Sequence, residues 1–156
     1  MKCDILVVGA GPAGSSAAKA AAERGAKTLL VDKKKRIGFP EQCGGAVASY
    51  LLSFLPFNLP RKFLNWEIDT LKFHADGITI NRSGSSWTCY AIRRSELDAW
   101  LAEKAKDAGA ELRINTELTN LQLEGERVVR ATVKSHESEY EIEPKAVIAA
   151  DGVSST

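Results

Sequence analysis

The sequence predicts an α/β fold built on a parallel sheet, and two observations predict it. Residues 5–8 are an apolar run that meets a glycine-rich turn at residues 9–14, and an alanine-rich segment over residues 15–24 follows. Gly25 then ends this predicted helix, and residues 28–31 form a second apolar run. Strand, tight turn, helix and strand make a βαβ unit, whose two strands must be parallel.

Residues 66–91 follow a different pattern, which predicts an antiparallel β insertion. Apolar and polar residues alternate on both sides of Asp76-Gly77, and this pair is typical of a two-residue hairpin turn. Residues 46–54, which precede this segment, predict a short helix.

The rest of the chain predicts one more helix and four more strands. Ser95 begins a capping box, and apolar residues recur from there at helical spacing up to Gly109. Apolar or alternating runs then predict strands at residues 118–123, 128–133, 140–142 and 146–150. This order of elements is that of a Rossmann-type domain with an antiparallel insertion.

Composition and charge exclude several classes of protein. The 156 residues have an ordinary globular composition, and a formal net charge of +1 gives no reason to expect a nucleic-acid partner. The three cysteines lack the number and spacing of a disulfide framework or a zinc site, which favours a cytoplasmic compartment and no metal. No apolar stretch reaches the roughly 20 residues that span a bilayer, so we expect any membrane contact to be peripheral.

The glycine-rich turn carries a recognisable nucleotide-binding pattern. Gly9, Gly11 and Gly14 form G-x-G-x-x-G between a predicted strand and helix, and Asp32 ends the next strand. In this pattern the glycines permit a tight turn, a close approach of the backbone to a pyrophosphate, and close packing of helix on strand. The helix amino terminus attracts the phosphates, and the acid accepts hydrogen bonds from a ribose. We therefore predict a dinucleotide site, in which we include Ala13, although NAD and FAD share the pattern.

Four stretches resemble a known family, the geranylgeranyl reductases, and in particular the archaeal digeranylgeranylglycerophospholipid reductases. They lie at residues 8–18, 36–45, 90–98 and 149–155, so the resemblance covers the whole chain. The most specific is the second, where Pro-Glu-Gln-Cys-Gly-Gly follows the predicted ribose acid. The family lies within the aromatic hydroxylase-like flavoproteins, so the resemblance implies FAD as the cofactor and that flavoprotein fold.

The resemblance also implies the flavin end of the site. By likeness to the family, Cys43, Gly44 and Ala46 lie against the flavin, where glycine removes steric bulk. An alternative is that Cys43 is a small buried side chain with a structural role only. A redox or gating role for its thiol is a further hypothesis.

Two more residues enter the predicted site by the same likeness. Arg94, counted back from Asp98 in the family's Arg-x-x-x-Asp pattern, is expected to face the FAD phosphates or ribose, whereas Arg93 is expected to be solvated. Leu118 stands where family members touch the adenine through the backbone. Asp151, in the fourth stretch, is expected to have a structural role near the pyrophosphate.

The function implied is flavin-dependent saturation of carbon–carbon double bonds in the geranylgeranyl chains of membrane lipids. The expected partners are an isoprenoid lipid and an external electron donor, either NAD(P)H or a ferredoxin-like protein. No residue reads as a catalytic acid or base, and His74 and His136 are expected at the surface. The alternatives are an aromatic hydroxylase or halogenase-like monooxygenase, an electron-transfer flavoprotein dehydrogenase, and a domain with no activity of its own.

The resemblance finally predicts that the chain is incomplete. Residues 1–156 correspond to the amino-terminal part of the family's FAD-binding domain, interrupted by the insertion, and no substrate domain follows. The Gly-Asp segment that holds the ribityl chain in the family is expected to come later. Without it we expect FAD binding to be weak or absent and the fragment to be inactive.

Overall fold

The computed structural model describes residues 1–55, 57–136 and 138–154, and the chain divides into two compact units. One, here called the sheet unit, comprises Met1–Pro40 and Asp98–Thr156. The other, here called the insertion unit, comprises Glu41–Leu97. Along the chain the helices and strands are β1 (Lys2–Val8), α1 (Pro12–Ala22), β2 (Thr28–Val31), β3 (Ala46–Ala48), β4 (Trp66–Ile68), β5 (Thr70–Ala75), β6 (Ile78–Ser83), β7 (Cys89–Ala91), α2 (Arg94–Asp107), β8 (Glu111–Arg113), β9 (Thr116–Glu124), β10 (Arg127–Ser135) and β11 (Glu139–Ala149).

The sheet unit contains one six-stranded sheet in the order β8-β2-β1-β11-β10-β9. The first four strands are parallel, β10 runs antiparallel to β11, and β9 runs antiparallel to β10. The βαβ unit predicted from the first 31 residues is therefore correct, with Val8 beside Val31 at the ends of its two strands. Strand β8 was not predicted, because its three residues include two charged side chains and show no apolar run.

Strand β11 pairs with two different partners along its length. Its first residues pair with β10 as far as Ile142, which lies opposite Ala131, and from Glu143 onward it pairs with β1. The prediction of separate strands at residues 140–142 and 146–150 was wrong, because one strand continues through Pro144. A proline has no N–H and therefore cannot donate a hydrogen bond to a neighbouring strand. Pro144 is tolerated because it lies close to the point where β11 changes its partner strand.

The parallel strands pack against a different layer on each face. On one face the side chains of β1 and β2 pack against those of β9, β10 and the start of β11. The core that they share is Cys3, Leu6, Val8, Leu29, Val31, Leu118, Ala131, Val133 and Ile142. On the other face the two helices cover the sheet, and the core is Val7, Ala10, Ala18, Leu30, Ile37, Ala102, Ala105 and Ala110. Alternate residues of one strand enter opposite cores, as the two-residue period of a strand requires. Small alanines on the helices allow close approach to the sheet.

The insertion unit is antiparallel, as predicted. It contains a three-stranded sheet in the order β3-β7-β4 and a two-stranded ribbon of β5 and β6. The ribbon turns at Asp76-Gly77, where both residues have positive φ. The short helix predicted at residues 46–54 is correct only in its second part: Ser49–Phe54 form a short 3-10 helix, whereas Ala46–Ala48 form a strand that pairs with β7.

Helix boundaries differ slightly from prediction. Helix α1 starts at Pro12, within the glycine turn. Helix α2 starts at Arg94, so Ser95 lies in its first turn rather than at the cap, and the Ser95 N–H donates to Glu41 Oε1 at 3.3 Å. Gly109 follows its end at φ 102°, a left-handed conformation that favours glycine. Across the described residues, neither helix has the length and apolar character that a membrane crossing requires.

Candidate dinucleotide site

The turn after β1 can be built only with glycine at two positions. Gly9 has φ +98°, and a Cβ there would collide with the carbonyl oxygen of Ala150 and lie 2.8 Å from the Cα of Asp151. A Cβ on Gly14 would collide with the carbonyl oxygen of Gly9. The neighbouring strand closes the arrangement, since the Ala150 N–H donates to the Val8 carbonyl at 2.8 Å. These glycines therefore serve packing of the turn, the helix and β11.

Gly11 is different, because a Cβ there would meet nothing within 4 Å. It is the amino-terminal cap of α1, and no side chain caps the helix. Pro12 follows and has no N–H, so the first free donors of the helix are the N–H groups of Ala13 and Gly14. An open space beside uncapped N–H groups at the positive end of a helix suits a diphosphate.

Asp32 is held firmly at the end of β2. The residue is 8% exposed, and both of its carboxylate oxygens accept backbone hydrogen bonds. Oδ2 accepts from the Ala10 N–H at 2.7 Å, and Oδ1 accepts from the Lys34 N–H at 2.8 Å. Each oxygen keeps a second acceptor site, so the carboxylate can also receive ribose hydroxyl groups.

A second loop flanks this acid. Asp32 donates its N–H to the Arg113 carbonyl and receives the Thr116 N–H at its own carbonyl, both at 2.9 Å. The Asn115 N–H donates to the Lys34 carbonyl, also at 2.9 Å. No residue of this loop is among the predicted site residues. In the sequence this loop is marked by the polar pair Asn115-Thr116, between two segments with little strand pattern. Such a pair does not indicate which residue the loop contacts.

Leu118 follows the same loop on β9. It lies opposite Val133 on β10, and its side chain is 8% exposed within the core. Any contact of Leu118 with a ligand must therefore use its main chain.

Four of the predicted site residues lie in the insertion unit. Cys43, Gly44 and Ala46 are exposed, so the alternative of Cys43 as a buried packing residue is wrong. Gly45, which the prediction omitted from the site, has φ +69°, and a Cβ there would collide with the carbonyl oxygen of Ile92. The Ile92 N–H donates to the Gly45 carbonyl at 2.6 Å and fixes the bend.

Arg94 is the fourth of these residues, and it is half-buried at the first position of α2. Its neighbour Arg93 is exposed and pairs with Glu96 at 3.2 Å. The structure thus brings together Gly9, Gly11, Ala13, Gly14 and Asp32 within the sheet unit, with Leu118 beyond the loop that flanks the acid.

The two histidines lie outside the predicted site. His74 is exposed and shares a hydrogen bond with Thr79 Oγ1 at 2.8 Å, and His136 is exposed as well. Within residues 1–55, 57–136 and 138–154, no group of three His, Cys, Asp or Glu side chains is placed to hold a metal. Residues 33–36 are a run of four basic residues, in which Lys33 lies 3.9 Å from Glu117 and the Arg36 guanidinium lies over the Phe39 ring at 4.0 Å.

A glycine turn between a central parallel strand and a helix, with an acid ending the neighbouring strand, defines a dinucleotide-binding protein of the Rossmann type. Residues 4–153 match the family model described as FAD dependent oxidoreductase, and the chain belongs to that family. FAD is therefore the dinucleotide of its family.

Individual relatives are consistent with this assignment. The chain is 37% identical to digeranylgeranylglycerophospholipid reductase of Methanosarcina mazei, over 99% of this chain and 39% of that protein. The crystal structure of a geranylgeranyl bacteriochlorophyll reductase-like protein of Thermoplasma acidophilum is 30% identical, with a TM-score of 0.86 over 97% of this chain and 39% of that one. The myxobacterial chondrochloren halogenase, an FAD-dependent halogenase, shares the fold at 19% identity and a TM-score of 0.79, over 99% of this chain and 38% of that one. The chain thus spans about two fifths of the length of these proteins.

Proposed function

We propose that the chain carries the FAD-binding part of a reductase that saturates double bonds in the geranylgeranyl chains of membrane lipids. The observation that carries the proposal is its likeness to digeranylgeranylglycerophospholipid reductases, at 31–38% identity over 97–99% of the chain. Likeness of this extent includes the Cys43-Gly44-Gly45 bend as well as the glycine turn.

The residues of the sheet unit fit the adenosine diphosphate half of FAD. The diphosphate is expected over Gly11, where there is open space, with the N–H groups of Ala13 and Gly14 as donors. Asp32, already oriented by two backbone donors, would accept the ribose hydroxyl groups. When bound, FAD supplies hydride chemistry that no side chain of this chain can supply.

For the other residues we propose roles that support FAD binding. Cys43, Gly44 and Ala46 would line the flavin, and the absence of any atom within 4 Å of a Cβ on Gly44 leaves room for a ring at that position. Arg94 would neutralise phosphate charge, since a guanidinium is always protonated and donates in pairs. Leu118 would present its main chain to the adenine. The protein's part in catalysis is to position the ring and exclude water.

The proposal extends to partners and place of action. The substrate is an isoprenoid lipid, and an external donor, NAD(P)H or a ferredoxin-like protein, reduces the flavin. We place the reaction on the cytoplasmic side, with peripheral contact to the membrane that holds the lipid.

FAD binding is the first test. Because the segment that holds the ribityl chain is expected to come later than this chain, the titration uses a chimera in which this chain replaces the corresponding part of the Methanosarcina mazei reductase. Binding to the chimera should quench the fluorescence of FAD, whereas the fluorescence of riboflavin, which has no adenosine diphosphate, should not change. The Asp32→Asn variant should bind FAD more weakly. Equal behaviour of FAD and riboflavin would contradict the assigned site.

The substrate is tested in a chimera in which this chain replaces the corresponding part of the Methanosarcina mazei reductase. With FAD, dithionite and geranylgeranyl lipid under anaerobic conditions, mass spectrometry should show the gain of two hydrogen atoms for each double bond. The same chimera with Gly11→Val is the control and should leave the lipid unchanged. A folded, yellow chimera that consumes oxygen with NAD(P)H but does not reduce lipid would instead favour a monooxygenase.

A further inference from the structure

The change of partner along β11 opens a cavity in the sheet unit. Strands β10 and β11 pair only as far as Ile142, and from Glu143 onward β11 pairs with β1 instead. The first residues of β10 pair with β9 alone, and the register shifts between Val128 and Arg130. Such a bulge bends a strand away from its neighbour. The space between the separating strands is a cavity of about 440 Å³.

The cavity lies away from the dinucleotide site. It is lined by the first residues of β1, Lys2, Cys3 and Asp4, whereas the glycine turn follows the last residue of the same strand, Val8. Seven residues of extended strand separate the two ends by roughly 20 Å. A ligand in this cavity would therefore not compete with FAD.

The inner wall of the cavity is apolar. Val128 and Val129 from β10 and Pro144 from β11 line it, together with Cys3, which is 5% exposed. Burial raises the pKa of the Cys3 thiol, so the thiol is neutral at physiological pH and adds to this apolar wall. A proline at this wall also offers no N–H to a ligand.

The rim is charged, and the charges do not balance. Lys2 pairs with Glu143 at 3.2 Å, and Lys145 pairs with Asp4 at 2.6 Å, so two cations and two anions compensate each other. Two more cations, Lys27 and Arg127, line the cavity. Among the residues for which the structure gives positions, no carboxylate lies within ion-pair distance of either. The backbone at Lys27 is held in place, because the Lys27 N–H donates to Asp4 Oδ2 at 2.8 Å.

We propose that this cavity binds a phosphate monoester with a short apolar substituent. The apolar part would lie on Val128, Val129 and Pro144, and the phosphate would meet Lys27 and Arg127. A phosphate monoester carries a charge close to −2 at neutral pH, which matches the excess of two positive charges among the residues that line the cavity. Its oxygens also suit the paired donors of a guanidinium, whereas an uncharged alcohol would leave both cations without a partner.

The test uses the purified protein and octyl phosphate as the probe, in isothermal titration calorimetry at low salt. One saturable site is expected, with inorganic phosphate and octanol each binding at least about tenfold more weakly, since each lacks one half of the recognised group. A saturating amount of FAD should leave the affinity for octyl phosphate unchanged. Equal binding of inorganic phosphate, or competition by FAD, would overturn the assignment.

Variants then place the site. Each single variant, Lys27→Gln and Arg127→Gln, should weaken binding, and the double variant should lose at least about tenfold in affinity. Lys134→Gln, which removes one charge from an exposed residue near the other end of β10 and so matches either single variant, should not weaken binding. Circular dichroism should show that each variant is folded, because the substituted side chains are exposed. Equal loss in the Lys134→Gln control would point to non-specific charge attraction and refute the cavity site. Binding to phosphatidic acid vesicles without binding to soluble octyl phosphate would also refute it, because a membrane surface would then be the target.

Discussion

The backbone N–H of Ala10 donates to Oδ2 of Asp32 over 2.7 Å and joins the glycine turn to the end of the second strand. The other oxygen of the same carboxylate accepts the Lys34 N–H. One side chain therefore fixes the loops that follow β1 and β2 before any ligand arrives. Asp32 has both a structural and a proposed binding role, and a substitution of Asp32 should affect both stability and FAD binding.

Asp32→Ala should destabilise the protein as well as abolish FAD binding. It leaves the N–H groups of Ala10 and Lys34 without their acceptor, and a buried unsatisfied donor costs about 1–3 kcal/mol. Urea unfolding followed by circular dichroism measures the loss. Glu126→Ala, in an exposed turn, is the control and should change the free energy of unfolding by no more than about 0.5 kcal/mol. If Asp32→Ala were as stable as that control, the carboxylate would not hold the loops.

The two glycines at the helix start should respond in opposite ways to alanine. Gly14→Ala forces a methyl group onto the Gly9 carbonyl, and we expect a loss of about 3 kcal/mol or failure to fold. Gly11→Ala meets nothing within 4 Å at φ −73°, so the fold should be retained. Its methyl group should nevertheless weaken FAD binding by about tenfold or more, because it occupies the expected path of the diphosphate. Urea unfolding of both variants, and FAD titration of the same variants in the chimera with the Methanosarcina mazei reductase, separate the effects. Unchanged FAD affinity in Gly11→Ala would count against the predicted ligand position.

Ile142→Ala should be among the most damaging core substitutions. Ile142 is fully buried where β11 changes partner, and truncation of a large buried side chain costs about 2–5 kcal/mol. Leu123→Ala offers a matched control on an exposed position of β9 and should cost about 0.5 kcal/mol or less. Urea midpoints give the comparison, and similar midpoints for the two variants would mean that the core at β11 is loosely packed.

The Asp4–Lys145 pair should make stability depend on acid pH. The hydrogen bond from Lys145 and that from the Lys27 N–H lower the pKa of Asp4 in the folded protein. The ionised form is therefore favoured by folding, so its contribution is complete above the unfolded pKa of about 3.9 and is lost as pH falls through the folded pKa. Relative to Asp4→Asn, the natural protein should be more stable at pH 6, and the two urea midpoints should converge on acidification.

Salt provides the check on this interpretation. Both side chains of the pair are partly exposed, so high salt should reduce the difference between natural protein and variant at pH 6. A difference that changed with neither pH nor salt would show that Asp4 acts through packing and not through its charge.

Local sequence patterns were sufficient for the first part of the fold. The run before Gly9, the turn, the alanine-rich helix and the strand that ends at Asp32 are all consecutive, so their pairing follows from neighbouring residues alone. The hairpin turn at Asp76-Gly77 could be predicted for the same reason. The predicted ligand contacts in the sheet unit depend on this consecutive part.

Features that depend on distant residues were not accessible. Ala46–Ala48 form a strand only because β7, more than forty residues later, lies beside them, and local helical character could not reveal that pairing. Pro144 appeared to end a strand, since its tolerance depends on the exchange of one partner strand for another. The loop at Arg113 and Thr116 meets Asp32 through backbone groups, which carry no residue-specific signal.

The pairing of β1 with β11 has a consequence for synthesis of the protein. Strand β1 is hydrogen-bonded to β11, which is made much later in the chain, and Ala150 forms one wall of the turn at Gly9. The nascent chain must therefore carry an unfinished central strand, with one edge open, until residues 143–149 have been made. During that interval an exposed edge invites wrong partners, so translation speed and chaperone capture are expected to govern the yield of functional protein.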